Sequence, residues 1–192
     1  MHPEVVNVRN LATGVSLFLI LVATAVPAAA QDELTGPFVA VEGHQSLLTG
    51  VANRTLLNVT AGGGLRAGYR WDGWGVFAHF EQNLWQTTEM DSKIVQGAFN
   101  LGVGGEYIYA DGFVRTSLEV GPSILLFDTL LDDAGSVGVF VDLRPVGLRW
   151  NPWEKLHIVA EPLTLAFVAP VLDGIPLIQV EYRSVLGVEW AF

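Results

Sequence analysis

The 192-residue chain contains no cysteine. That excludes disulfides, thiol catalysis and thiolate metal sites, and is compatible with export. Lysine is nearly absent: Lys93 and Lys155 stand against eight arginines. With a net charge of −10, no basic patch is available to meet phosphates, so a nucleic-acid partner is not expected. Charged residues make up only 16% of the chain. Beyond Ala30 there is no uninterrupted apolar run of the ~18 residues that a spanning helix needs. What remains is a chain that is half apolar, rich in glycine (21 residues) and supplied with six tryptophans.

The N-terminus reads as an export signal. Residues 1–10 carry one basic side chain, Arg9, and the apolar stretch LATGVSLFLILVATAVPAAA follows over 11–30. Ala28 and Ala30 form an Ala-x-Ala end ahead of a polar QDE. This pattern predicts a signal peptide over 1–30, cleaved after Ala30, and a single domain over 31–192.

From there the period is two, not 3.6. Leu57, Val59, Ala61, Leu65, Ala67, Tyr69 and Trp71 alternate with Asn58, Thr60, Gly62, Gly64, Arg66, Gly68 and Arg70. Asp72-Gly73 follows, the residue pair favoured in a two-residue hairpin turn. Asp111-Gly112 repeats that signal between two further alternating stretches. Eight strands are predicted, over 37–46, 57–71, 74–85, 94–110, 113–126, 136–150, 155–168 and 177–192. The sixth changes phase near Pro145, which predicts a bulge. Connections at 72–73, 111–112 and 151–154 are tight, while those near 47–56, 86–93, 127–135 and 169–176 are longer. Such alternation fits a transmembrane barrel with short turns at one end and long loops at the other. An even strand number then places both termini at the short-turn, periplasmic end.

The charges decide which face is inside. The polar face carries Glu42, Arg66, Arg70, Glu81, Glu106, Arg115, Glu119, Asp142, Arg144, Arg149, Glu161, Glu181, Arg183 and Glu189. Six arginines among eight carboxylates should pair in a closed interior, because an unpaired buried charge costs several kcal/mol, roughly. Hairpin register sets Arg66 diagonal to Glu81 and Arg115 diagonal to Glu106, and the glycines beside them, Gly62, Gly64, Gly102 and Gly104, are expected to make room for the long arginines. An eight-stranded barrel is just wide enough for side chains to fill it, so the expectation is a plugged interior without an open pore. Tyr69, Trp71, Trp74, Tyr107, Tyr109, Trp150 and Trp153 gather beside the short turns, as an aromatic girdle at one membrane interface requires.

At this point the chain resembles the small eight-stranded bacterial outer-membrane β-barrels of the OmpA/OmpX-like kind. The ending SVLGVEWAF carries the most specific likeness. The resemblance implies an all-β, antiparallel, up-and-down transmembrane barrel preceded by a cleavable signal peptide. It also implies that Tyr182, Leu186, Val188, Trp190 and Phe192 form the signal read by the barrel-assembly machinery. The other partners it implies are outer-membrane lipid and lipopolysaccharide, around a monomeric protein in the bacterial outer membrane. The loops are short for such a family.

Chemistry is sparse. GGGLRAG at 62–68 lacks the Gly-Lys-Ser/Thr ending of a phosphate loop, and the triplets at Asn53 and Asn58 read as chance matches to a glycosylation site. His44, His79 and His157 fall on different strands without metal-ligand spacing. No cofactor or metal is expected. An outer-membrane enzyme acting on lipid A would need a serine beside a histidine–carboxylate pair. His157 is followed by Ile158 and Val159, so the His-x-Ser arrangement of the lipid A deacylases is missing. His79 and Glu81 share a face, with no serine placed beside them. A soluble lipocalin-like carrier would need an apolar cavity. The acidic loop residues Glu89, Asp91, Asp128, Asp132, Asp133 and Asp173 suit either solubility or divalent cations. The sequence therefore favours a structural or surface-interaction role, with the lipid-modifying enzyme and the carrier as alternatives.

Overall fold

Alternation of large apolar and polar residues is what a pleated strand separates onto two faces, and the computed structural model consists of such strands. It describes residues 34–50, 57–85, 95–127, 136–172, 175–176 and 178–192. The proposed signal segment and the acidic loop residues named above lie outside this set. The long strands are β1 (Gly36–Gly50), β2 (Leu57–Trp71), β3 (Trp74–Trp85), β4 (Val95–Tyr109), β5 (Val114–Phe127), β6 (Ser136–Trp153), β7 (Leu156–Leu172) and β9 (Gln179–Ala191). The two-residue β8 (Ile175–Pro176) pairs with the end of β7. Each long strand is antiparallel to its neighbours in chain order, and the β1–β9 ladder seals the cylinder. The fold is a closed, eight-stranded, antiparallel barrel.

The strands outrun several sequence boundaries. The first runs to Gly50 rather than residue 46, and the seventh to Leu172 rather than 168. The sixth continues to Trp153, so the third short connection is Glu154-Lys155 and not 151–154. Asn151-Pro152 looks like a turn in isolation, but the ladder from Trp150 to Trp153 carries the strand through an irregularity there. Asp72 and Gly73 both take positive φ, 51° and 83°, as a type I′ hairpin demands. At the second hairpin Ala110 joins Asp111 and Gly112 in the left-handed region.

The phase change at Pro145 is present. Asp142 and Arg144 point inward before it, Gly147 and Arg149 after it, and register shifts there against both neighbours. A second irregularity, not anticipated from sequence, lies at Pro162-Leu163 of β7, between inward Glu161 and Thr164. Proline supplies no N–H to a ladder, and hydroxyls serve the carbonyls near both bulges. Thr116 donates to the Arg144 carbonyl at 3.2 Å, Thr164 to that of Arg183 at 3.3 Å, and Ser184 to that of Pro162 at 3.1 Å.

Candidate functional site

The two faces differ in kind. All fourteen charged side chains named above are buried inside the barrel. Outward-facing charges among the described residues occur only at the short turns: Asp72, Asp111, Glu154 and Lys155. Between them and the far ends of the strands the wall carries no charge and is mostly apolar and exposed, from Val41 at 62% and Leu65 at 57% to Val103 at 65%, with Gln45, Gln82 and Ser184 as exposed uncharged polar residues on it.

The interior charges form one connected lattice. Nearest the short turns, Glu189 takes a two-pronged contact from Arg70 at 2.6 and 2.8 Å, and contacts from Arg149 at 2.8 Å and Arg115 at 3.1 Å. Deeper in, Glu42 accepts from Arg144 at 2.7 Å, Arg115 at 3.3 Å and Arg66 at 3.4 Å. Glu161 bridges Arg115 and Arg144 at 2.7 and 2.8 Å. Toward the long-loop end, Arg183 holds Glu81 and Glu181, each at 2.8 Å, while Asn83 and Asn100 donate to those two carboxylates. Glu119 accepts from His79 Nδ1 at 2.8 Å, and Asp142 from Arg144 at 3.0 Å. Paired, hydrogen-bonded charges are the arrangement a dry interior tolerates.

The diagonal expected between Arg66 and Glu81 exists as register, since Arg66 faces His79 and Glu81 faces Gly64. The ion pair does not form. Arg66 reaches Glu42 on β1 and Glu106 on β4, the latter at 3.3 Å, while Glu81 is held by Arg183 across the lumen. Arg115 does come within 3.8 Å of its diagonal partner Glu106, but its shorter contacts are to Glu161 and Glu189. A long side chain in a narrow cylinder selects partners across the interior as readily as along one hairpin.

The glycines also serve a different purpose from the one expected. A Cβ on Gly62 or Gly64 would run into the rings of His44 and His79, and one on Gly102 or Gly104 into those of Phe140 and Phe77. Flat rings, not arginine stems, lie over these four positions. Phe38 and Phe77, absent from the sequence reading of the site, are both inside. Arg70 stacks on Phe38 with 3.7 Å from Cζ to the ring centre, and Arg66 on Phe77 with 3.6 Å. Their position was the available signal, for both share parity with the charges, as do Glu42 with Phe38 and His79 with Phe77. Stacking desolvated guanidinium groups on aromatic faces adds a favourable contact to each.

Tyr69, Trp71, Trp74, Tyr107, Tyr109, Trp150 and Trp153 all face outward at the short-turn rim. Trp71 and Trp74 are directly opposed in register. The Trp74 and Tyr107 rings lie 4.5 Å apart, and Tyr107 and Tyr109 5.9 Å apart. Trp190 and Phe192 belong to the same rim, with Tyr182, Leu186 and Val188 further along β9 on the same outer face. The histidines do not converge. His44 contacts Asn83 at 3.3 Å, His79 contacts Glu119, and His157 lies 3.9 Å from Glu189. Among the described residues no group of three or more histidine and carboxylate side chains is placed to hold a metal ion.

No protein-family model matches the sequence, and no curated protein does. Among solved structures, the chain is similar to Neisserial surface protein A, with a TM-score of 0.66 and 12% identity over 82% of this chain and 98% of that one. It is also similar to Ail, the attachment invasion locus protein of Yersinia pestis, with a TM-score of 0.54 and 17% identity over 82% and 99%. The likeness extends to Ail in complex with the heparin analogue sucrose octasulfate, at a TM-score of 0.52. At these identities the likeness is one of fold: the small eight-stranded barrel of outer-membrane proteins.

Proposed function

We propose that this chain is a bacterial outer-membrane barrel with a structural or surface-interaction role, its interior filled by paired charges and closed to solute flow. One observation carries the reading. Charges of the described residues lie within the cylinder or at its short turns, and the wall between is uncharged and mostly apolar. Lipid, not a protein core, is the solvent that suits such a wall. The aromatic ring at one rim supports placement at a membrane interface. Surface proteins among the structural neighbours favour a role at the cell exterior over catalysis. His44 and His79 spend their described hydrogen bonds on Asn83 and Glu119, not on a hydroxyl, which gives no support to the lipid-modifying alternative. The charged interior likewise gives none to an apolar-ligand carrier. Purified protein in planar bilayers tests the closed interior, and lipid A acyl analysis after incubation tests the absence of hydrolysis. Little steady conductance and unchanged acyl content are expected. Sustained conductance, or deacylation lost on His79→Ala, would contradict the proposal.

A further inference from the structure

The outer wall is not uniform. Along the hydrogen-bonding direction its side chains form rows that cross the strands. One row runs Trp190, Val39, Ala67, Ala78, Val103 from β9 to β4, each residue directly opposite the next. The rows on either side are bulkier: Leu65 opposes Phe80 on one, and Tyr69 opposes Val76 on the other. Ala67 and Ala78 therefore floor a trough, an apolar groove of about 640 Å³ reaching from Trp190 to Leu101.

The groove has a direction. Trp190 lies two residues from Phe192 at the short-turn rim, whereas Leu101 lies eight residues up β4 from Tyr109. Five strands at their usual spacing of ~4.8 Å make the trough roughly 19 Å long. With strands tilted by ~40°, it climbs about 12 Å along the barrel axis. That is close to one leaflet, half of a hydrocarbon core ~30 Å thick.

The lower mouth carries a charge. Leu156, which lines the groove, opposes Trp190 across the β7–β9 ladder. It follows Lys155, whose carbonyl accepts the Ala191 N–H at 2.9 Å. All six arginines of the described residues are buried inside, so Lys155 is their sole exposed basic side chain. Its neighbour Glu154 is a turn carboxylate. The one outward cation of the described residues thus stands where the trough meets the aromatic rim.

We infer that this groove seats one acyl chain of a periplasmic-leaflet phospholipid whose phosphate pairs with Lys155. The inference rests on the outer-membrane reading above. Apolar length matches the chain, a basic group at the headgroup level matches the phosphate, and the Trp190 indole marks the interface between them. The consequence is a fixed lipid contact on the β9–β4 side of the wall.

The test uses protein refolded into phosphatidylglycerol vesicles, extracted in mild detergent and weighed by native mass spectrometry. One retained phosphatidylglycerol is expected on the unaltered barrel. The double variant Ala67→Phe/Ala78→Phe fills the trough from the outer face and should lose it. Val120→Phe, outside the groove, should keep it. Lys155→Asn, which tolerates the positive φ of 73° at that position, should lower retention about five-fold. Equal retention in the groove-filled variant, no retained lipid on a folded barrel, or a dimer mass that disappears with the double substitution would overturn the inference alone. A chain that never yields a heat-modifiable folded species in vesicles would overturn the outer-membrane reading with it.

Discussion

Arg70 and Glu189, 119 residues apart in sequence, meet through two parallel hydrogen bonds of 2.8 and 2.6 Å inside the barrel. Arg70 is on β2 and Glu189 on β9, so the contact spans β1 and braces the closing seam from within. Arg149 and Arg115 share the same carboxylate. Glu189→Gln leaves three buried guanidinium groups short of a counter-charge, and the expected cost is about 3–5 kcal/mol. Urea unfolding of the vesicle-inserted barrel measures it as a lowered midpoint. Replacing Arg70 and Glu189 together by methionine should recover part of the loss, since it removes one of the three guanidinium groups that face the lost carboxylate and leaves only Arg149 and Arg115 short of it.

The ring-over-glycine contacts predict sensitivity at positions that sequence alone would pass as permissive. An added Cβ at Gly104 lies 2.6 Å from the Leu118 carbonyl and 2.8 Å from the Glu119 Cβ, and meets the Phe77 ring. Gly104→Ala should cost about 1–3 kcal/mol by overpacking. Phe77→Leu on that background should restore part of it by withdrawing the ring, despite removing the stack under Arg66. A double-mutant cycle read by denaturant midpoint distinguishes this coupling from two independent losses.

Both of these relationships lay beyond the sequence, for one physical reason. Period-two alternation fixes the face of each side chain locally, which is why Glu42, Arg144 and Arg183 were legible as interior and Trp74 or Leu186 as exterior. The Asp72-Gly73 turn fixed one hairpin register in the same local way. Who meets whom across the lumen depends on tilt and stagger around the closed cylinder, which no short stretch encodes. Arg66 therefore found Glu42 and Glu106 instead of Glu81. Phe38 and Phe77 carry no charge to draw attention to them, though their parity places them inside. The Pro145 bulge showed in the phase of β6, where charges mark the inner face on both sides of it, whereas no charged residue follows Pro162 in β7, so the inward Thr164, Ala166 and Val168 leave the new phase unmarked.

Lipid contact predicts a depth dependence that water contact would not. Val103 and Val120 oppose each other on the outer face of β4 and β5. Arginine at either position should destabilise the inserted barrel by about 2–4 kcal/mol, against about 0–1 kcal/mol at Trp153 on the rim. Refolding equilibria in vesicles read the difference directly. Similar, small effects at all three positions would mean the wall faces water.

The β9 residues Tyr182, Leu186, Val188, Trp190 and Phe192 are proposed to guide assembly. Phe192→Ser should slow barrel assembly in cells and leave unfolded chain in the periplasm. Refolding of the purified variant into vesicles should change little, because Phe192 is 62% exposed and packs into no core. Pulse-labelling followed by protease challenge separates the two outcomes.

Fractionation combined with gel mobility tests the inverted barrel most directly. Cells expressing the chain are separated into soluble and outer-membrane fractions, and each is run with and without boiling. The account predicts recovery in the outer membrane as a fast-migrating folded species that shifts on boiling. Recovery in the soluble periplasm, with mobility unchanged by heat, would contradict it.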